Sequence, residues 1–369
     1  MHTPSALAIR SCRLLSYRLL LRQAWHTHLG RLTERHGWIV ELTTRDGSRG
    51  YGDCAPLPAA GSETAELAHA WLQQQLPTTL GQSPDGVLAT LALPTATPAA
   101  RHALETALLD LLSQNEGLSL RHRLSVEAVD RLLINGSAGP LDAQSGERCF
   151  ALIAQGFSVL KLKVGLAAVG QELSLLQGLC RQLPPQIRLR LDANGAWGLD
   201  EAKLFLDGVA GLAIESLEEP LAEPDLQTLG LLQEQTRIAL ALDESLSLFP
   251  RERLLSRPPV RRLILKPTVL GGLLPALSLA GQAARAGMET LVTSTLESAL
   301  GLQAAAQLAA ALPRTVPLLA QGLATGGWFT NDLASGIAIE QGEMRLPDTP
   351  GLGVRLQEAF VTADFADKE

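Results

Sequence analysis

Hydrophobic and polar positions along this chain change rhythm near residues 130 and 330. Before the first change, "HGWIVELTTRDGSRGYGDCAP" alternates as two strands joined by a hairpin turn at "RDGS". The runs "ETAELAHAWLQQQL" and, after a Pro-rich link at 94–98, "AARHALETALLDLLSQNEG" carry helical spacing. Residues 1–130 therefore read as an α+β domain. From 131 to 330 apolar strand candidates recur with helical stretches between them. They are "RLLING" (131–136), "SVLKLKVG" (158–165), "IRLRLDANG" (187–195), "LAIESLEEP" (212–220), "IALALDES" (238–245), "RRLILKPT" (261–268), "ETLVTST" (289–295) and "PLLAQGLATG" (317–326). Eight strands with helical crossovers predict an α/β fold, a parallel sheet closed as a (β/α)8-type, modified TIM barrel. Residues 331–369, with "GIAIEQGEMRLPDTPGLGV", read as a hairpin that returns to the first domain and completes a cap.

Composition narrows the class. A chain of 369 residues that is 46% hydrophobic supports a large core, and a net charge of −7 without basic–aromatic runs argues against nucleic acid as a partner. Cys12, Cys54, Cys149 and Cys180 are scattered with no CxxC pair, the pattern of reduced thiols rather than a zinc or disulfide framework. Arginines at 10, 13, 18 and 22 interrupt every apolar run of the N-terminus, so no signal-peptide core forms. Glycines and polar residues break the least charged stretch, Pro267 to Ala284, as a membrane span. The expectation is a soluble cytoplasmic protein of unspecified oligomeric state, with neither nucleic acid nor membrane as a partner.

In barrels of this kind chemistry gathers at the C-terminal ends of the strands. Strand alternation puts Lys161 and Lys163 on one face and Leu160, Leu162 and Val164 on the other. The next strands end in Asp192, Glu218, Asp243 and Lys266, and the intervals 163→192→218→243→266 are 29, 26, 25 and 23, one βα unit each. These charges occupy equivalent places around one ring. Three converging carboxylates repel unless a cation joins them, and all-oxygen ligation suits Mg2+ or Mn2+. The second and sixth strands lie opposite one another in a ring of eight, which sets Lys163 across from Lys266. Cations around Lys163 would disfavour its charged form, which suits a general base.

Other residues near the ring have a bland reading beside the functional one. Arg190 shares the inward face of Asp192 and either orients a lysine or ligand or pairs with an acid. Glu219 and Glu244 point away from the ring by alternation, toward supporting or surface roles. Asn194 and Trp197 follow the third strand, where turn and packing roles compete with function. The histidines, His26, His28 and His36 among them, show no ligand spacing.

The strings "KLK", "LDAN", "EEP", "LDES" and "KP", with "GYGDCAPLP" and "GSETAEL" in the first domain, resemble the enolase superfamily in its muconate-lactonizing-enzyme-like branch. A lysine base with magnesium is the general pattern of that superfamily. "KPTVLGG", "TSTLESALG" and "RLDANGAW" are most similar to the o-succinylbenzoate synthase family within it. The resemblance implies a small-molecule carboxylate substrate and syn-dehydration of 2-succinyl-6-hydroxy-2,4-cyclohexadiene-1-carboxylate to 2-succinylbenzoate, in menaquinone biosynthesis. It implies Lys163 as base and then acid, Lys266 as stabiliser of the enediolate, and Lys161 as a supporting charge. Asp192, Glu218 and Asp243 would be the magnesium ligands, with Mn2+ as a substitute. Thr293, Ser294 and Thr295 would contact the succinyl carboxylate, although family enzymes often carry more serines there. The segment "HTHLGRLTERHG" corresponds to a lid, or is an ordinary surface loop.

Rival readings remain at this stage. Two opposed lysines also serve a racemase or epimerase of N-acylamino acids or dipeptides. Dipeptide epimerases usually carry an Asp-x-Asp pair after the eighth strand, where this chain reads "QGLATGGWFTNDL" with Asp332 alone. A non-catalytic binding barrel would be expected to lack a ligand or a lysine, and a metal-dependent hydrolase would usually need histidine ligands.

Overall fold

A computed structural model describes residues 7–27, 30–314 and 318–357, with residues 26 and 27 described by their backbone alone. Its plan follows from strand alternation. Leu160, Leu162, Leu189, Leu191, Leu217, Leu240, Leu242, Leu263 and Leu265 are buried against an outer layer of helices, in a core shared with Leu176, Phe205, Leu229, Leu279 and Leu300. The intervening positions face inward, where Ala241, Ile264 and Leu291 form a small separate cluster.

The first domain is an antiparallel sheet of β1 (Ile9–Thr27), β2 (Gly30–Thr44) and β3 (Arg49–Cys54). At the expected hairpin turn, Asp46 Oδ1 accepts from Thr44 Oγ1 at 2.5 Å and from Ser48 N at 3.0 Å, while Gly47 takes φ 92°. The sheet packs on the Pro98–Glu116 helix so closely that a Cβ on Gly52 would lie 1.8 Å from Ala103 O. The lid segment after residue 29 is strand β2, and His28 lies outside the described residues.

Short β4 (Arg131–Leu133) precedes seven parallel strands: β5 (Gly136–Pro140), β6 (Val159–Lys163), β7 (Arg188–Asp192), β8 (Ile214–Glu218), β9 (Ala239–Leu242), β10 (Arg262–Leu265) and β11 (Glu289–Val292). Their order in the sheet is sequential. The eighth position is a pair of residues rather than a strand. Gln321 N donates to Leu133 O at 2.7 Å and Gly322 N to Val292 O at 2.8 Å, with parallel bridges Ile134–Gln321 and Thr293–Gly322. Residue 317 of the expected strand lies outside the described residues.

Two strand expectations need correction. "RLLING" divides, and the barrel strand proper is β5, "GSAGP". A Cβ on Gly136 would come within about 3.1 Å of Leu152 and 3.2 Å of Phe157, so this strand is built from small residues and lacks an apolar signature. The C-terminal hairpin of β12 (Ile339–Glu340) and β13 (Glu343–Arg345) pairs with β4 and not with the first sheet. Only beyond it does the tail reach the Pro98–Glu116 helix, where Leu352 N donates to Asp110 Oδ1 at 2.7 Å. Residues 358–369 of the expected tail lie outside the described residues.

The first domain also grips the barrel at its C-terminal end. Asp53 Oδ2 accepts from Ser298 N at 2.9 Å and Ser298 Oγ at 2.7 Å, at the start of the Ala299–Ala311 helix, and Tyr17 donates to Asp53 Oδ1 at 2.7 Å. No helix among the described residues is long and apolar enough to cross a membrane, and all four cysteines are free.

Candidate active site

Three of the chain's five lysines meet at the mouth of the barrel. Lys163, Asp192 and Glu218 are the last residues of β6, β7 and β8, while Asp243 and Lys266 directly follow β9 and β10. Lys163 and Asp192 are register partners, as are Asp192 and Glu218, so these three form one row of the sheet; Glu218 is matched to Ala241, and Asp243 stands two residues further on. Strands β6 and β10 stand four places apart in it.

The lysines are not equivalent. Lys161 Nζ bridges Asp192 Oδ2, at 2.9 Å, and Glu218 Oε2. Lys266 Nζ lies 2.7 Å from Asp243 Oδ1 and 3.2 Å from Glu244 Oε1. Lys163 Nζ instead donates to Asn194 Oδ1 at 3.2 Å, and it sits 5.9 Å from the centre of the Trp25 ring. Burial opposes the charge on Lys161, but Asp192, Glu218 and Asp243 more than offset it and hold its pKa well above the ordinary lysine value. Lys266 is raised in the same way by Asp243 and Glu244. The positive charge expected from Lys161 is thus directed at carboxylates.

Two ammonium groups do not neutralise three buried acids. Burial raises Asp192, yet Lys161 brings it below the usual carboxylate range. Glu218 is raised by burial and by the neighbouring Asp192, and Asp243 is held well above the normal range by burial, Glu244 and Glu218. Asp243 Oδ1 is buried without a well-directed hydrogen bond despite its ion pair. In these rotamers the ammonium groups gather the acids, and no three acidic, histidine or cysteine side chains among the described residues are grouped to hold a metal ion. The donor set, however, is three buried carboxylates short of positive charge with one poorly satisfied oxygen, and this suits a hard divalent cation.

Around the ring the supporting residues separate clearly. Asn194 adopts φ 45°, its N donates to Asp192 Oδ1 at 3.1 Å, and its side chain holds Lys163. Glu219, also at φ 45°, is buried, and its Oε1 accepts from Asp243 N at 2.5 Å, Ser245 N at 3.0 Å and Ser245 Oγ at 2.9 Å. Alternation points Glu219 off the ring but not to the surface; it pins the backbone of Asp243. Glu244 pairs with Lys266. Trp197 packs on Phe205 with ring centres 4.3 Å apart, a packing role.

Arg190 leaves the substrate-contact set. Fully buried, its guanidinium turns toward the opposite end of the barrel, to Glu215 Oε1 at 2.9 Å and Ala320 O at 2.7 Å. Glu215 and Glu289 pair there with Arg262. Alternation gave the face of Arg190 correctly, but Arg190 lies one inward layer below Asp192 and its carboxylate partner lies below that.

The hydroxyls after β11 are also committed. Thr293 donates to Gly322 O at 3.1 Å, Ser294 to Glu297 Oε2 at 2.7 Å, and buried Thr295 to Glu297 Oε1. Thr295 is therefore removed from direct contact with a ligand, while Thr293 and Ser294 remain partly exposed with their protons directed inward. Glu297 was not expected; it also accepts from Thr268 Oγ1 at 2.9 Å and so joins this loop to the turn after Lys266. Trp25 and Trp328 were missed as well, and their only sequence signal is an isolated indole near a segment of interest.

Comparison with known proteins agrees with this geometry. Residues 145–360 match the family model described as enolase C-terminal domain-like, and residues 9–109 match the N-terminal domain of MenC. The chain is 31% identical over 363 residues to the o-succinylbenzoate synthase of Desulfotalea psychrophila, covering 89% of this chain and 97% of that one. Among solved structures, a dipeptide epimerase from Methylococcus capsulatus complexed with Mg and the dipeptide L-Arg-D-Lys superposes with a TM-score of 0.84 at 30% identity, over 94% of this chain and 99% of that one. The muconate lactonizing enzyme of Pseudomonas fluorescens shares the fold, with a TM-score of 0.86 at 20% identity over 97% and 99% of the two chains. With a family model covering more than half its length and a strand-end ring of carboxylates and lysines, the chain belongs to the enolase superfamily.

Proposed function

We propose that this enzyme is an o-succinylbenzoate synthase, a hydro-lyase that converts 2-succinyl-6-hydroxy-2,4-cyclohexadiene-1-carboxylate to 2-succinylbenzoate in menaquinone biosynthesis, in the cytoplasm. Neutral Lys163 takes the proton α to the ring carboxylate. Its ammonium then returns that proton to the departing hydroxyl on the same face. One C–H and one C–O bond break, water leaves, the ring becomes aromatic, and Lys163 ends as it began. Lys266, opposite, offsets the negative charge that develops on the substrate. Asp192, Glu218 and Asp243 would hold Mg2+, or Mn2+ in its place, which supplies Lewis-acid stabilisation of that charge when bound.

The observation that carries this reading over dipeptide epimerisation is the loop after the eighth barrel position. From Gln321 to Asn331 it contains no carboxylate. The next acid, Asp332, accepts from Ala299 N at 2.8 Å and Leu333 N at 2.7 Å, both on Oδ1, so that oxygen is engaged at the start of a helix. The two lysines four strands apart still favour a second reading, racemisation of N-succinylamino acids. Purified protein with magnesium and the cyclohexadiene substrate should yield the aromatic product, followed by ultraviolet absorbance. Racemisation of N-succinylamino acids without that turnover would replace the proposal with the second reading.

A further inference from the structure

The first domain contributes a side chain to the site that the ring of charges leaves unexplained. Strand β1 pairs with β2 up to Leu20, which faces Glu34, yet Trp25 faces Leu32, five residues of one strand against two of the other. The surplus residues form a bulge, and across it β1 takes a new partner. Arg22 N donates to Trp328 O at 2.8 Å, Thr330 N to Leu20 O at 2.9 Å, and Arg22 Nε to Gly327 O at 3.1 Å. Bulges bend a strand and re-aim the side chains beside it. Here the result is the Trp25 indole beside Lys163 Nζ, braced edge-on by Trp328 at 6.4 Å and 72°.

Lys161 and Lys266 are fixed by carboxylates, but among the described residues Lys163 has no ion pair. Its partners are the Asn194 carbonyl oxygen and the face of Trp25. A lysine with four rotatable bonds and no carboxylate partner needs other means of holding its amine in one place. We propose that Trp25 is a positioning residue for Lys163, confining the amine between the indole face and Asn194. The catalytic lysine is then supported from two domains, by a loop of the barrel and by a strand of the cap. This inference rests on the reading of Lys163 as the base.

The test compares Trp25→Leu, which keeps apolar bulk but loses the π face, with Trp25→Phe, which keeps a smaller one. Turnover of the cyclohexadiene substrate and acetylation of individual lysines by mass spectrometry are measured on the full magnesium-loaded chain. Trp25→Leu should lower kcat by about 10-fold to 100-fold with KM nearly unchanged, because a misplaced reacting group costs rate rather than binding. It should also raise labelling of Lys163 several-fold against the internal reference Lys203. Trp25→Phe should restore most of both. Trp328→Leu, which removes only the brace, should shift both in the same direction by less, and serves if Trp25→Leu fails to fold. Wild-type labelling and kcat in Trp25→Leu, or a raised KM at unchanged kcat, would overturn the proposal. If wild-type protein does not turn over the substrate, the functional reading fails while the labelling comparison still decides the placement of Lys163.

Discussion

Glu219 makes the most direct prediction about how the carboxylate ring is held. Its Oε1 accepts three bonds, from Asp243 N, Ser245 N and Ser245 Oγ, and so fixes the backbone that carries Asp243. Glu219→Gln keeps the shape and an acceptor but removes the charge. A hydrogen bond to a charged group contributes about 1.5–3 kcal/mol and a neutral one about 1, so three bonds lose roughly 1.5–6 kcal/mol together. Part of that loss should appear as stability and part as a loosened Asp243. Groups that orient metal ligands typically contribute about 10-fold to 100-fold in affinity. Calorimetric titration with Mg2+ should therefore show weaker binding in that range, a lowered melting temperature, and activity regained at high magnesium. Unchanged affinity and unchanged melting would refute the idea that Glu219 holds Asp243 in place.

Other residues give independent checks. Burial pushes Asp110 up to about 6 from 3.8, against hydrogen bonds from Gln114, Leu352 and Tyr51. The folded state thus binds a proton over that window that the unfolded chain has released, and stability attributable to Asp110 falls as pH rises from about 4 to 6. Asp110→Asn should flatten the pH dependence of urea unfolding by about 2–3 kcal/mol across that range, and an unchanged slope would contradict it. Arg190→Met should destabilise by about 1.5–3 kcal/mol through loss of its charged hydrogen bonds to Glu215, which keeps Arg262 as a partner, while leaving KM alone; a raised KM at normal stability would return Arg190 to the substrate site. Gly52→Ala drives a Cβ into the Ala103 carbonyl and should cost at least about 1–3 kcal/mol, visible as a lowered melting temperature. Melting like wild type would mean that the strand and helix can part there.

The ring was legible from sequence because two rules reinforce one another. Alternation of period two gives the face, and a repeat of one βα unit gives the strand end, so Lys163, Asp192, Glu218, Asp243 and Lys266 could be assigned to the mouth without coordinates. Depth was less accessible. Arg190 has the right face, but its partner Glu215 is turned inward at a register shift between β7 and β8, which pattern reading does not see. Glycine-built β5 and the two-residue eighth position carry no apolar run to detect. The hydroxyls of Ser294 and Thr295 look like ligand donors until Glu297, two or three residues on, is found to take their protons. Trp25 depends on a bulge and on pairing with Trp328, more than 300 residues away, and no local pattern reports that contact.

In the proposed mechanism Lys163 moves the proton while Asp192, Glu218 and Asp243 hold the metal. Lys163→Ala tests it most directly when dehydration of the cyclohexadiene substrate and Mg2+ affinity are measured on the same preparation. Turnover should fall by about 10²–10⁴-fold, the scale of a general base, with magnesium affinity nearly unchanged. A Lys163→Ala enzyme that retains turnover, or that loses activity only by losing magnesium, would contradict it.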